Sequence, residues 1–193
     1  MKMIKQFLLL LMLIGLFSCV MEPTKQTIIK KIDKIVDVDS DVEDDFDLAL
    51  VQLKNEKYDE AIVLLEKVIA KEKRLPAPFV NLGMAYNKKG DFKKAEQNLL
   101  WALKIKLTHP VANNQLGLLY RKKGRFNDAR KAYTNALTEY PDNLSILKNL
   151  GILCEIYMRD LPCALKQYEH YLSLRPNDKT MKIWLADLNQ RLK

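Results

Sequence analysis

The feature that most constrains this chain is internal repetition. The stretch from Asn81 to Leu103, "NLGMAYNKKGDFKKAEQNLLWAL", aligns without gaps on Gln115 to Leu137, "QLGLLYRKKGRFNDARKAYTNAL". Leu82-Gly83, Tyr86, Gly90, Phe92, Ala95 and Ala102 meet Leu116-Gly117, Tyr120, Gly124, Phe126, Ala129 and Ala136, each 34 residues further on. The same step back from Ala95 reaches Ala61, and forward from Gly117 it reaches Gly151. Ala164 lies 35 residues after Ala129, so the last unit carries one extra residue, expected in its turn. A self-similar period of this length means stacked helical hairpins. Composition agrees: six Gly and seven Pro in 193 residues are too few for a linker-rich or all-β chain, and the apolar residues recur three and four apart.

The residue types suit such a stack. Small residues at Gly83, Gly117 and Gly151, and at Ala61, Ala95, Ala129 and Ala164, let paired helices approach closely. Gly90 and Gly124 fit the left-handed position that stops a helix. Asp91 and Asp160 fit helix N-caps, and Pro141 and Pro176 mark ends. No hairpin of this kind buries its apolar face alone, so stacking is obligatory.

These residues resemble the tetratricopeptide repeat family over about 42–176, most closely in the two central units. The first unit departs from the pattern, with Leu48-Ala49 for Leu-Gly and Gln52 for Tyr; the fourth has Cys154 for Tyr and no Gly in its turn. The resemblance implies an all-α, right-handed superhelix of about four helical hairpins, at 42–75, 76–109, 110–143 and 144–177. A closing helix at 178–193 would cover the last unit with Met181, Trp184, Leu185 and Leu188.

In such a superhelix the first helices line a concave groove. Corresponding positions are Val80, Asn114 and Lys148; then Met84, Leu118 and Ile152; then Asn87, Arg121 and Glu155. Asp47, Asn81, Gln115 and Asn149 form a further column. An amide donates and accepts, so this column can hold the backbone of an extended peptide; retention of Asn for packing is the plainer alternative. Lys88, Lys89, Arg121, Lys122, Lys123 and Arg125 fall at first-helix ends, either as favourable charges at helix C-termini or as a basic rim for an acidic partner. The acidic run from Asp37 to Asp47 reads as a mobile surface stretch able to occupy that rim.

The amino-terminal "MKMIKQFLLLLMLIGLFSC" has basic residues, a short apolar run and a small residue before Cys19. That is the pattern of a secretory signal, and its end resembles a bacterial lipobox. The implied parts are a signal at 1–18, then a lipidated Cys19 with a tether to residue 41. Val20 after the Cys, by resemblance to lipoproteins of Gram-negative bacteria, favours the outer membrane over inner-membrane retention. Within the tether, residues 24–38 place Ile28, Ile29, Ile32, Ile35 and Val36 at helical spacing, as an amphipathic helix or as a linker.

No nucleophile elbow, phosphate loop or metalloprotease helix occurs. His109 reads as a surface residue near a helix cap. Cys154, Cys163 and His170 match no familiar zinc spacing. Cys154 and Cys163 fall on the two helices of one hairpin, leaving open a disulfide or two buried thiols. Despite a net charge of +8, aromatic residues do not interleave with a basic stripe, so nucleic acid is not an expected partner. The expectation is a protein with no cofactor or metal and no enzymatic activity. It binds a protein partner, as an extended peptide or helix in the groove, and meets the membrane through its lipid. The closest functional resemblance is to tetratricopeptide lipoproteins that assist assembly of the type IV pilus secretin. Other readings are an accessory of cell-wall or proton-channel and TonB-type energy-transducing machinery, and a lipoprotein enzyme or ligand binder.

Overall fold

The structure, a computed structural model, describes residues 38–193. The signal, Cys19 and the tether up to residue 37 lie outside the described residues. Among these, the chain is helical without strands: α1 Ser40–Lys54, α2 Tyr58–Lys71, α3 Pro76–Lys88, α4 Phe92–Ile105, α5 Pro110–Lys122, α6 Phe126–Leu137, α7 Leu144–Ile152, α8 Leu161–Leu174 and α9 Lys179–Arg191. A π-helical turn, Leu153–Tyr157, follows α7 directly. Helices pack as consecutive hairpins, α1 with α2, α3 with α4, α5 with α6 and α7 with α8. First helices also touch one another, α1 with α3, α3 with α5 and α5 with α7, so they form one continuous wall. No helix of the described residues is long and apolar enough to cross a membrane.

The repeated residues make the core. Ala49, Ala61, Ala95, Ala129 and Ala164 are fully buried, and around them pack Leu65, Leu99, Tyr133 and Tyr168. Small residues are required at these crossings because the opposed ring or chain occupies the space a larger side chain needs. Helix starts follow from local chemistry: the carboxylates of Asp91, Asp160 and Asp178, and the amide of Asn143, accept from backbone N–H groups of the first turn.

Two expectations are corrected here. The acidic run is no loose stretch: from Ser40 it forms the start of α1, where carboxylates are favoured by the helix dipole. Asp41 pairs with Lys71 and Asp45 with Lys67, so it is held on α2 and not on the basic rim. The extra residue of the fourth unit is not in the turn itself. In the first three hairpins the residue that opens the second helix donates to a carbonyl five positions back, as in Lys57 to Gln52, Asp91 to Tyr86 and Arg125 to Tyr120. In the fourth, Asp160 donates to Cys154, six back, and the π turn, closed by Met158 N–H to Leu153 O at 3.1 Å, absorbs the insertion.

Candidate protein-binding groove

The wall of first helices presents the columns read from the period. Asn81, Met84, Asn87, Asn114, Gln115, Leu118, Arg121, Asn149 and Ile152 are half-buried and Lys148 is exposed. Val80 is corrected: at 4% exposure it belongs to the core, where α3 packs more deeply than α5 and α7 do at Asn114 and Lys148. With Leu50 of α1, which is 38% exposed, Met84, Leu118 and Ile152 make an apolar stripe at equal spacing, flanked by amides.

The amide column is not a row of equal, unengaged groups. Asn81 donates Nδ2 to Ala77 O of its own helix at 3.0 Å. Asn149 donates to Oδ1 of Asn114 at 2.8 Å, which links two columns of neighbouring hairpins. Gln115, between them, makes no side-chain hydrogen bond with the described residues and keeps both amide functions for a ligand. A glutamine there can clamp a peptide backbone through one donor and one acceptor.

The basic rim is largely spent inside the protein. Lys89 pairs with Asp59, Lys123 with Glu96 at 2.7 Å, and Arg125 with Glu96 and Asp128, both at 2.7 Å. The pairs to Asp59 and Glu96 sew first-helix ends to the preceding second helix, and Arg125–Asp128 is a local pair at the start of α6. Burial pushes the Glu96 carboxyl up, but the hydrogen bonds of Lys123 and Arg125 outweigh it and hold the group below the usual range. Lys122 lies over the Phe92 ring, 4.1 Å from its centroid, and Lys148 lies 5.5 Å from that of Trp184. Arg121 has the Tyr157 ring 5.5 Å away and no ion-pair partner among the described residues.

Cys154 and Cys163 are joined in a disulfide, with their α-carbons 5.8 Å apart, so of the two readings the structure has the bond. Asp160 also stands beside these sulfurs, but sulfurs bonded to each other are not thiolate ligands, and Asp160 pairs with Arg130 at 2.6 Å. His170 is turned away to Asp142, at 2.8 Å. His109 caps α5, its Nδ1 accepting from Ala112 N–H; burial, then the nearby Lys106 charge, lowers its pKa to about 4.

Sequence reasoning missed Asn113. It stands 34 residues from Phe79 and from Leu147, at a core position, and is fully buried. Its Nδ2 donates to Leu107 O at 2.8 Å and His109 O at 3.1 Å, pinning the link into α5. It also missed the pairing of second-helix tyrosines with the groove. The Tyr168 hydroxyl donates to Glu155 at 2.8 Å, and Arg191 of α9 completes that group. The signal was present, since Tyr133 and Tyr168 lie 35 apart, the interval that also separates Ala129 from Ala164.

Family models described as tetratricopeptide repeat match residues 78–109 and 110–143. Residues 78–143 are thus tetratricopeptide repeats. The auxiliary subunit NAA15 of the N-terminal acetyltransferase A complex of Arabidopsis thaliana is 33% identical over 96 residues, which are 49% of this chain and 11% of that protein. This repeat protein thus spans about a tenth of the curated relative it matches. Among solved structures, MamA residues 41 to the end from Desulfovibrio magneticus RS-1 superposes with a TM-score of 0.68 at 19% identity, covering 80% of this chain and 87% of that one. PilF of Pseudomonas aeruginosa gives 0.69 at 20% identity, covering 78% of this chain and 68% of that one. Both show the same superhelical fold, and a tetratricopeptide stack of this kind is a scaffold for protein–protein interaction.

Proposed function

We propose that this repeat protein is a lipid-anchored adaptor at the periplasmic face of the outer membrane, where its concave groove holds an extended segment of a partner during assembly of an envelope machine. The observation that carries the binding mode is the groove wall itself: an apolar stripe of Leu50, Met84, Leu118 and Ile152 beside the uncommitted amide of Gln115. Such a surface offers burial for alternate side chains and hydrogen bonds for the main chain between them. The anchor rests on the lipobox-like "LFSC" ending at Cys19. A Cys carrying two lipid signals is held firmly where one acyl chain is not. Assembly of the type IV pilus secretin is the machine favoured by the sequence resemblance.

Two measurements test this. Cells fed radiolabelled palmitate should label the protein, and Cys19→Ala should abolish both the label and sedimentation with outer membranes. A photo-crosslinking amino acid at Gln115 or Leu118 should trap an envelope protein that the same group at Lys131, on a second helix, does not. A freely soluble mature form refutes the anchor. Equal trapping from both faces refutes the groove, and a trapped protein unconnected with the secretin refutes the choice of machine.

A further inference from the structure

One groove side chain is charged, half-buried and unmatched. Nη1 of Arg121 is shielded from solvent with no hydrogen-bond partner among the described residues, and the hydroxyl of Tyr133, on a fully buried ring that the Arg121 charge acts on, has none either. The next hairpin shows the same arrangement completed. There Glu155 stands 34 residues after Arg121 and Tyr168 stands 35 after Tyr133. The Tyr168 hydroxyl donates to Glu155 at 2.8 Å, and Arg191 of α9 supplies the guanidinium. That group contains one carboxylate, one phenol and one guanidinium. At the third hairpin the phenol and the guanidinium are present, and no residue of the described chain supplies the acid.

The geometry points to Arg121 as a receptor for the side-chain carboxylate of an Asp or Glu carried by the partner's extended segment. This rests on the groove being the partner-binding surface. A guanidinium only donates, so an acceptor is what Arg121 lacks. A guanidinium withdrawn from water without a partner is costly, and a carboxylate hydrogen-bonded to it offsets that cost with the strongest kind of polar contact a peptide can make. Arg121 as a whole is half-buried, on the same first helix that carries Gln115 and Leu118. An internal acid suits the site better than a chain end, because Asn81 and Gln115 precede Arg121 along the wall and Lys148 and Asn149 follow it. A bound chain therefore continues past Arg121 in both directions.

The test uses the full chain in detergent micelles and three pools of amino-acetylated random dodecapeptides. One pool has a fixed central Glu and an amidated end, the second a central Gln and an amidated end, the third a central Gln and a free carboxylate. Wild-type protein should retain the Glu pool about tenfold better than either Gln pool. Arg121→Met should abolish that preference, and the control Lys122→Met should keep it. Arg121→Met should also melt no lower than wild type, since it removes an unmatched buried charge. Equal retention of Glu and Gln, a preference that survives Arg121→Met, a preference for the free-carboxylate pool alone, or a clear fall in melting temperature of Arg121→Met overturns this inference and leaves the groove standing. Retention of no pool by wild type overturns the groove reading and this inference together.

Discussion

Gly117 lies against the ring of Tyr133 so closely that a Cβ on the glycine would come 2.8 Å from Cδ1 of the ring and closer still to Cε1 and Cζ. Neither partner has room to yield, because Tyr133 is fully buried between its neighbours. Gly117→Ala should therefore destabilise the protein by about 1–3 kcal/mol, the cost of overpacking a well-filled core. In the preceding hairpin the same place is held by Leu99 opposite Gly83. Denaturant melts of Gly117→Ala, Tyr133→Leu and the double variant should show the two losses to be less than additive. Full additivity would show that the glycine is there for another reason.

The disulfide between Cys154 and Cys163 closes a short loop, nine residues in sequence, across the π turn. Chain-entropy arguments assign such a loop about 2–3 kcal/mol of stabilisation through the unfolded state. Reduction, or Cys154→Ala with Cys163→Ala, should lower stability by about that amount. In hydrogen exchange the loss should fall first on α8, which belongs to this hairpin, and on α9, which packs against it. If the denatured, unreduced mature protein yields both thiols to titration, the bond does not form and this prediction fails.

The central repeats were legible because their chemistry is forced at every period: Leu-Gly pairs, alanines at crossings, and glycine at positive φ in Gly90 and Gly124, at 82° and 72°. At the outer repeats the same backbone position is held by Glu56 and Arg159, with φ of 60° and 54°, so the turn survived while its residue signal disappeared. Periodicity also placed the groove columns by register, yet it could not say which side chains were already engaged. Asn81 turns back to Ala77, and Lys89 reaches Asp59 thirty residues away, because rotamer and ion-pair choices depend on the neighbouring hairpin. Asn113 at a core position, and the completion of Glu155 by Arg191 from the closing helix, are tertiary facts of the same kind.

His109 should make stability fall in mild acid. Its Nδ1 accepts the first-turn N–H of Ala112 only while unprotonated. Burial and then Lys106 lower its pKa from 6.5 to about 4 in the fold. Between those values the unfolded chain binds the proton and the folded one does not, so the contribution is complete above pH 6.5 and is lost as pH falls towards 4. His109→Asn keeps a capping acceptor without the titration. Between about pH 7 and about pH 4.5 the unfolding free energy from urea melts should fall further for wild type than for His109→Asn, by about 1 kcal/mol. Parallel losses in the two proteins would mean that His109 does not carry the effect.

Gln115 and Asn149 occupy equivalent places in successive hairpins, yet they should fail in different ways. Gln115 makes no hydrogen bond within the described protein, so Gln115→Ala should change stability by less than about 0.5 kcal/mol. If its amide clamps the partner's backbone with one or two hydrogen bonds, the same change should weaken binding of the segment trapped at the groove by about three- to tenfold. Asn149 is already joined to Asn114 at 2.8 Å. Asn149→Ala leaves the half-buried Asn114 oxygen unpaired and should lower stability by about 1 kcal/mol, with a smaller effect on binding than Gln115→Ala. Calorimetric affinities and thermal melts of the two single variants separate the roles. A Gln115→Ala protein that binds its partner unchanged would remove the amide from recognition and leave the apolar stripe to carry it.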